Sequence, residues 1–277
     1  MKKLSIITIN FNNRDGLRKT IESVVNQTWQ EFEYIIIDGG STDGSVEVIQ
    51  EYADRIDYWV SEPDKGIYDA MNKGIDKATG EYCLFMNSAD IIYQPTTLEE
   101  VYLHLDGTDI ISGRLLFEHG YIMTPPQVVT AKFFFTRTLP HQATFIHRAL
   151  FAISQYDCNY RIVSDWKFWI EMLVCNNASY KTIGITVALF DNSGISSTNE
   201  NLRIQEQQDV LCSLFTPRIM SDYHTLIHGD TFEDKLYLVI KAHRLHKAFY
   251  MLNIFIFKFV ALFKRNTQWV KKFPFKI

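Results

Sequence analysis

Cysteine is scarce in this chain, and that removes two kinds of chemistry. The 277 residues hold four cysteines, Cys83, Cys158, Cys175 and Cys212. No two form a CxxC pair, and no cysteine–histidine cluster has zinc spacing. A disulfide framework and a structural zinc site are both excluded. Cys83 lies inside an apolar run and reads as a small core residue. A reducing cytosol is the expected compartment. Net charge is also small, at −4, which argues against a nucleic-acid partner. Long apolar runs are missing too. The stretch 248–263 is short for a bilayer span and Lys258 interrupts it. Met1-Lys-Lys followed by Leu4–Ile9 has no small-residue cleavage site after it, so it reads as a first β-strand. Internal repeats and low-complexity segments are absent.

What is present is an ordinary globular composition, 47% hydrophobic and 22% charged, with a high aromatic content of 14%. A chain of this length can bury a large core. The charge is uneven. From Thr231 onward ten Lys or Arg stand against Glu233 and Asp234, a net +8, which leaves −12 on the rest. A basic, aromatic tail on an acidic body suits an anionic surface.

The first hundred residues alternate strand and helix patterns. Leu4–Ile9, Phe32–Ile37, Ile56–Val60 and Tyr82–Met86 have strand character. Between them Leu17, Ile21, Val24 and Val25, then Val46, Ile49 and Ala53, then Ile67, Met71, Ile75 and Ala78 recur at helical spacing. The expected fold class is α/β, a mostly parallel sheet flanked by helices. After Asp90 the pattern loosens. Thr96 or Thr97 is expected to cap a short helix in a capping box with Glu99 or Glu100. A hairpin is expected across Glu118-His119-Gly120, then a loop or docking surface over 124–140. Ala143–Ile146 is strand-like, Ser164-Asp165 opens a helix, and Ile185–Phe190 is a last strand before Asp191-Asn192-Ser193-Gly194. The chain divides into a domain over 1–198 and a helical, basic extension over 199–277.

Ligands of such sheets bind outside the carboxyl ends of the strands. Asn10, Asp38, Ser61-Glu62 and Asn87–Asp90 all fall there. The elbow Asn87-Ser88-Ala89-Asp90 is the most informative, because a strand-end carboxylate can hold a divalent cation against a diphosphate.

Three blocks resemble glycosyltransferase family 2. They are Ser5-Ile-Ile-Thr-Ile-Asn-Phe-Asn12, Ile35-Ile-Ile-Asp-Gly-Gly-Ser-Thr-Asp-Gly44 and Ser61-Glu-Pro-Asp-Lys-Gly-Ile-Tyr-Asp-Ala-Met-Asn-Lys-Gly74. The wording of Asp64–Asn72 is similar to the colanic-acid and capsule-type bacterial polysaccharide subgroup. The resemblance covers about residues 3 to 197. It implies the Rossmann-like GT-A fold, a nucleotide-sugar donor and inversion at the anomeric carbon.

On that resemblance, Asn10 and Phe11 meet the nucleotide, and Asp38 faces the base. Asp43 is the better helix cap in that block, which leaves Asp38 free. Lys65 meets a phosphate, and Asp69 binds ribose or orients Lys65. Asn87 and Asp90 occupy the place of the metal motif, with Asp90 as the ligand to Mg²⁺ or Mn²⁺. Only its last position is acidic, so metal and donor are expected to bind together. Asp165 matches the base that removes the acceptor proton. His141 and Gln142, in Pro140-His-Gln-Ala-Thr-Phe145, suit the diphosphate or the acceptor. Plainer readings stay open: a βα turn at Asn10, a solvated Lys65, a surface Asp69, helix-start electrostatics at Asp165 and a structural His141.

The expected activity is transfer of a sugar, UDP-linked, to a hydroxyl of a lipid-linked surface polysaccharide such as capsule, O-antigen or exopolysaccharide. The processive Gln-x-x-Arg-Trp signature is absent, which favours single additions. Acceptor choice is expected in residues 114–140. The tail suits the anionic inner face of the cell membrane, as a peripheral cytoplasmic protein; a homodimer or core helix is its alternative. Nucleotidyl transfer to a sugar phosphate is a second reading, but it calls for a Gly-rich loop where Asn10-Phe-Asn-Asn13 stands. A non-catalytic sugar- or nucleotide-binding protein is the third.

Overall fold

The computed structural model of the chain describes residues 2–190 and 199–228, with 239, 251 and 252 beyond them. Its central strands form where the sequence is apolar at nearly every position. β1 (Leu4–Asn10) is buried throughout, and β2 (Phe32–Asp38) everywhere except Glu33. Continuous burial is what a parallel strand between two helix layers requires. β3 (Tyr58–Ser61) and β4 (Tyr82–Phe85) complete the parallel set, with β1 between β2 and β4 and β3 outside β2.

Three helices make the crossovers: α1 (Arg14–Val25), α2 (Ser45–Glu51) and α3 (Ile67–Lys77). Asn13 caps α1 by accepting the Gly16 N–H at 3.2 Å. Leu17, Ile21 and Val24 of α1 and Val48 and Ile49 of α2 pack on one face of the sheet with Leu4, Ile6, Tyr34 and Ile36. α3 covers the other face. A Cβ on Gly74 would stand 2.4 Å from Ile7 Cγ2, so only glycine lets α3 lie this close.

The second half adds β5 (Ile91–Ile92), α4 (Thr97–Tyr102), β6 (Ile110–Phe117), β7 (Ile122–Met123), a short α5 (Ala131–Phe134), β8 (Thr144–His147), α6 (Ser164–Trp169), β9 (Tyr180–Phe190), α7 (Glu200–Leu214) and α8 (Pro217–His228). The strand order is β3-β2-β1-β4-β8-β6-β9-β5, with β7 on β6. β8 runs antiparallel to both β4 and β6, and β6 and β9 are parallel. The α/β sheet flanked by helices is therefore as expected, parallel through β1–β4 and mixed beyond them, and so is the hairpin across 118–120. β5 is too short to show in the sequence, and β9 begins five residues before the expected Ile185.

Two local expectations change. Thr97 Oγ1 accepts the Gln94 N–H, and Thr96 Oγ1 donates to Glu100 at 3.2 Å, so neither threonine makes a capping box. The segment 124–140 is pinned rather than loose. Trp166 Nε1 donates to the Phe134 and Arg137 carbonyls, Tyr180 donates to the Pro126 carbonyl, and Phe134 and Leu139 are buried. The aromatic content has a use here: Phe85, Phe151, Tyr156 and Phe168 pack together behind α6.

The chain forms two compact units, Met1–Leu214 and Phe215–Ile277. α7, assigned above to the extension, thus belongs to the same unit as the sheet. Its buried Glu206 accepts the Arg161 and Ile162 N–H groups just ahead of α6. No helix among the described residues is long and apolar enough to cross a membrane. The 191–194 turn, and all of the 248–263 segment but 251 and 252, lie outside the described residues.

Candidate active site

A row of polar side chains closes the carboxyl ends of the four parallel strands. The register sets Asn10 beside Asp38 and Asp38 beside Ser61. Continuing the β1–β4 register sets Ser88 beside Asn10. The side chains bond along that row. Ser88 Oγ donates to Asn10 Oδ1 at 2.6 Å, Asn10 Nδ2 donates to Asp38 Oδ1 at 2.7 Å, and Ser61 Oγ donates to Asp38 Oδ2 at 2.6 Å. The Ser41 hydroxyl and the Gly40 and Ser41 N–H groups also donate to Asp38.

Asp38 is therefore not the free acceptor expected from its sequence. It is fully buried, and five donors use up what two carboxylate oxygens can accept. Burial pushes its carboxyl upward, but the bonds from Ser41, Ser61 and Asn10 outweigh that and hold it below the ordinary value. Asp43 does serve the helix start, accepting the Ser45 N–H at 3.1 Å. What faces outward is Phe11, 65% exposed. A Cβ at Gly39 would meet Phe11 Cδ2 at 3.2 Å and Asp64 Oδ2 at 2.5 Å. Glycine thus lets the ring and the Asp64 carboxylate close over its backbone.

The elbow after β4 is a hydrogen-bonded turn, with the Asp90 N–H on the Asn87 carbonyl at 2.9 Å. Ala89 sits at φ 83°, the left-handed region that costs a non-glycine residue about 1 kcal/mol. Thr20 of α1 braces it. Its hydroxyl accepts the Ala89 N–H at 2.9 Å and donates to the Asp90 carbonyl at 2.8 Å. Asp90 Oδ2 turns back onto the Asn87 N–H.

His141 links this elbow to α6. Its Nε2 lies 3.1 Å from Asn87 Nδ2, and its Nδ1 lies 3.5 Å from Asp165 Oδ2. With the Asn87 amide as donor, the ring proton sits on Nδ1 and faces Asp165. A doubly protonated ring needs the amide turned, so that Oδ1 accepts. Burial pulls the His141 pKa down, but the bond to Asp165 and the charges of Asp165 and Asp90 outweigh it, leaving a net rise. Asp165 Oδ1 is met on its other side by the buried Tyr68 hydroxyl at 2.9 Å, which also lies 2.7 Å from the Ile162 carbonyl. Burial and the Asp165 charge keep that phenol protonated, far above its ordinary pKa.

Asn10, Asn87, Asp90, His141 and Asp165 thus come together, with Gln142 buried beside His141. Lys65 and Asp69 do not pair as charges. Asp69 accepts the Lys65 backbone N–H at 3.1 Å, and the cation near Asp69 is Lys73, at 3.7 Å. Tyr68, Lys73, Thr20, Ser41 and Ser88 escaped the sequence reading. Ser41 and Ser88 were findable, because both belong to the polar runs at strand ends. Tyr68 was not, since its partner lies 97 residues away.

Asn87 Oδ1 is buried without a hydrogen-bond partner among the described residues, and the Asn87 backbone N–H lies on the Asp90 carboxylate. Oδ1 and the carboxylate offer hard oxygens of the kind Mg²⁺ and Mn²⁺ take. No group of three His, Cys, Asp or Glu among the described residues could enclose an ion. The elbow fits a cation only if other oxygens complete its shell.

Residues 5–155 match the profile of Glycosyl transferase family 2. An uncharacterized glycosyltransferase of Mycobacterium tuberculosis is 35% identical over 217 residues, 71% of this chain and 78% of the relative. A PGL/p-HBAD biosynthesis glycosyltransferase of Mycobacterium bovis is 30% identical over 202 residues, 70% of this chain and 79% of the relative. Among solved structures, S. aureus TarS 1–349 in complex with UDP-GlcNAc aligns with a TM-score of 0.63 at 17% identity, over 86% of this chain and 77% of that one. The mannosyltransferase PcManGT of Pyrobaculum calidifontis, with GDP-Man and Mn²⁺, aligns at 0.62 and 14% identity, over 97% and 83%. At these identities the likeness is one of fold, and it is the GT-A-like sheet flanked by helices.

Proposed function

The chain belongs to glycosyltransferase family 2, and on that premise we propose that it transfers a sugar with inversion from a nucleotide diphosphate sugar to an acceptor hydroxyl. One observation carries the reading. Asp165 stands at the start of α6 with Tyr68 on one oxygen and His141 on the other, and His141 also touches the elbow. A proton acceptor for the incoming hydroxyl and a cradle for the departing diphosphate thus lie one imidazole apart.

The acceptor oxygen attacks the anomeric carbon as Asp165 takes its proton, and the bond to the diphosphate breaks with its electron pair leaving on phosphate oxygen. Phe11, exposed above Gly39, stacks on the base. The Ser88–Asn10–Asp38–Ser61 row fixes the backbone beneath it. Asp90 and the Asn87 side-chain oxygen would hold Mg²⁺ or Mn²⁺, which would supply charge neutralisation at the diphosphate. The complex of TarS with UDP-GlcNAc favours a UDP-linked donor, and the GDP-Man complex of PcManGT makes GDP-mannose the control. The acceptor is a lipid-linked oligosaccharide of a surface polysaccharide, met at the cytoplasmic face of the membrane. The support for that is the +8 tail with its aromatic and aliphatic residues.

The test is Asp165→Asn, read by donor hydrolysis and by donor binding. Turnover should fall by about 10²–10⁴-fold, the usual worth of a general base, while UDP-sugar affinity in the presence of Mn²⁺ is retained. Retained turnover removes Asp165 from the reaction.

A further inference from the structure

Among the described residues Arg114 is a cation without a counter-charge. It stands part-buried on β6, and its Nε is buried with no hydrogen-bond acceptor. Among the described residues it makes no ion pair, whereas Arg14, Arg18 and Arg203 each do. Desolvating a guanidinium without a partner is costly, so such a group calls for a reason.

Its position supplies one. The β6–β8 register pairs Ile110 with Ile146, Ile111 with Phe145 and Ser112 with Thr144. Two residues further along, Arg114 falls opposite Gln142, the neighbour of His141. It therefore lies at the same end of the sheet as Asp165, but across β4 and β8 from the strands whose ends form the Asn10–Asp38–Ser61 row. β9 bulges beside it, since Ser112 pairs with Thr182 while Arg114 pairs with Thr186. The exposed residue of that bulge is Gly184, and a Cβ there would meet only Arg114 Nη2, at 3.8 Å. The glycine leaves the outer edge of the guanidinium uncovered.

We propose that Arg114 binds an oxyanion, a phosphate or a carboxylate, carried by the acceptor. Assigning the anion to the acceptor rests on the transferase reading above; the anion site itself rests on the geometry. The planar fork of arginine takes such groups through two parallel N–H bonds, which lysine cannot match. An acceptor held here by its anion presents its hydroxyl on the Asp165 side of the elbow, away from the base pocket.

The test is a titration followed by ¹⁵N side-chain NMR, with the Arg114 Nε–H signal assigned by its loss in Arg114→Gln. The probes are methyl phosphate and methyl glucuronide, with methyl glucoside as the uncharged control. At least one anion should shift the Arg114 signal and the glucoside should not; which anion acts separates a phosphate from a sugar carboxylate. Arg114→Gln should weaken anion binding at least tenfold, read from the backbone amide shifts of Gly184 and its neighbours. Gly184→Asp should do the same with the arginine still present, because its carboxylate reaches the fork; it carries the test if Arg114→Gln does not fold. Neither anion shifting the signal, or both variants binding as wild type, overturns the proposal. No nucleotide sugar is present, so this titration can fail while donor hydrolysis succeeds, and the converse.

Discussion

The side-chain amide of Asn10 donates to Asp38 Oδ1 at 2.7 Å, one register step across β1 and β2. The bond makes Asp38 the centre of a buried network. Asp38→Asn puts an amide donor against the hydroxyls and N–H groups that now donate to it. Stability should fall by about 2–4 kcal/mol, the cost of unsatisfied buried donors and a broken charged bond, measured by urea unfolding. The pH sign follows from the depressed pKa. The unfolded chain binds this proton near 3.8 and the folded chain only at lower pH. The contribution of Asp38 is therefore fully present above that value and is lost as pH falls through the folded pKa. The gap between wild type and Asp38→Asn should narrow on acidification; a gap that widens refutes the assignment.

Phe11 offers a separation of binding from folding. At 65% exposure it contributes little to the core, and exposed substitutions usually change stability by less than about 0.5 kcal/mol. A base stacked on an aromatic ring is worth about 1–3 kcal/mol. Phe11→Ala should thus leave the melting temperature within a degree or two and raise the KM for the donor by roughly tenfold or more. Unchanged KM with unchanged stability moves the base elsewhere.

The parallel half of the fold was legible because its strands are apolar at most positions and their polar ends share one register. Asn10, Asp38, Ser61 and Ser88 show as strand ends in the sequence, and the sheet turns that pattern into a row. What the sequence left unread is what depends on long-range geometry. Asp38 reads as free in the sequence because its donors come from three different segments. In the sequence Asp69 reads as a ribose ligand or as the group that orients Lys65, whereas one turn of α3 brings the Lys73 ammonium beside it. α7 was separated from the sheet, because nothing in its composition announces that Glu206 holds the turn before α6.

The elbow makes a prediction about order of binding. One carboxylate and one amide oxygen are a poor cage for a hard cation, which usually takes six oxygens. Mn²⁺ should bind weakly to the wild-type protein alone and tightly once UDP or a UDP-sugar is added, as read by the electron paramagnetic resonance signal of free Mn²⁺. Asn87→Asp supplies a second carboxylate and should bind Mn²⁺ detectably without nucleotide. Asp90→Ala should lose the metal-dependent part of donor binding. Tight Mn²⁺ binding by wild type without nucleotide would show that ligands besides Asn87 and Asp90 complete the site.

Tyr68 and His141 hold the same carboxylate from opposite sides, at 2.9 Å and 3.5 Å. Tyr68 lies beneath Asp165 and is buried, so it positions the base without touching substrate. Removing its hydroxyl by Tyr68→Phe frees Asp165 Oδ1 and the Ile162 carbonyl. The loss of one such bond is worth about 1–1.5 kcal/mol, so turnover should fall by roughly tenfold while donor affinity is unchanged. A purely structural tyrosine would lower the melting temperature and leave kcat of the folded enzyme alone. His141→Ala should lower kcat too and also weaken donor binding, because His141 reaches Asn87. Since both residues fix one group, their effects should not add. The double variant should lose less than the product of the single losses; full additivity of the two would mean that they do not act through Asp165.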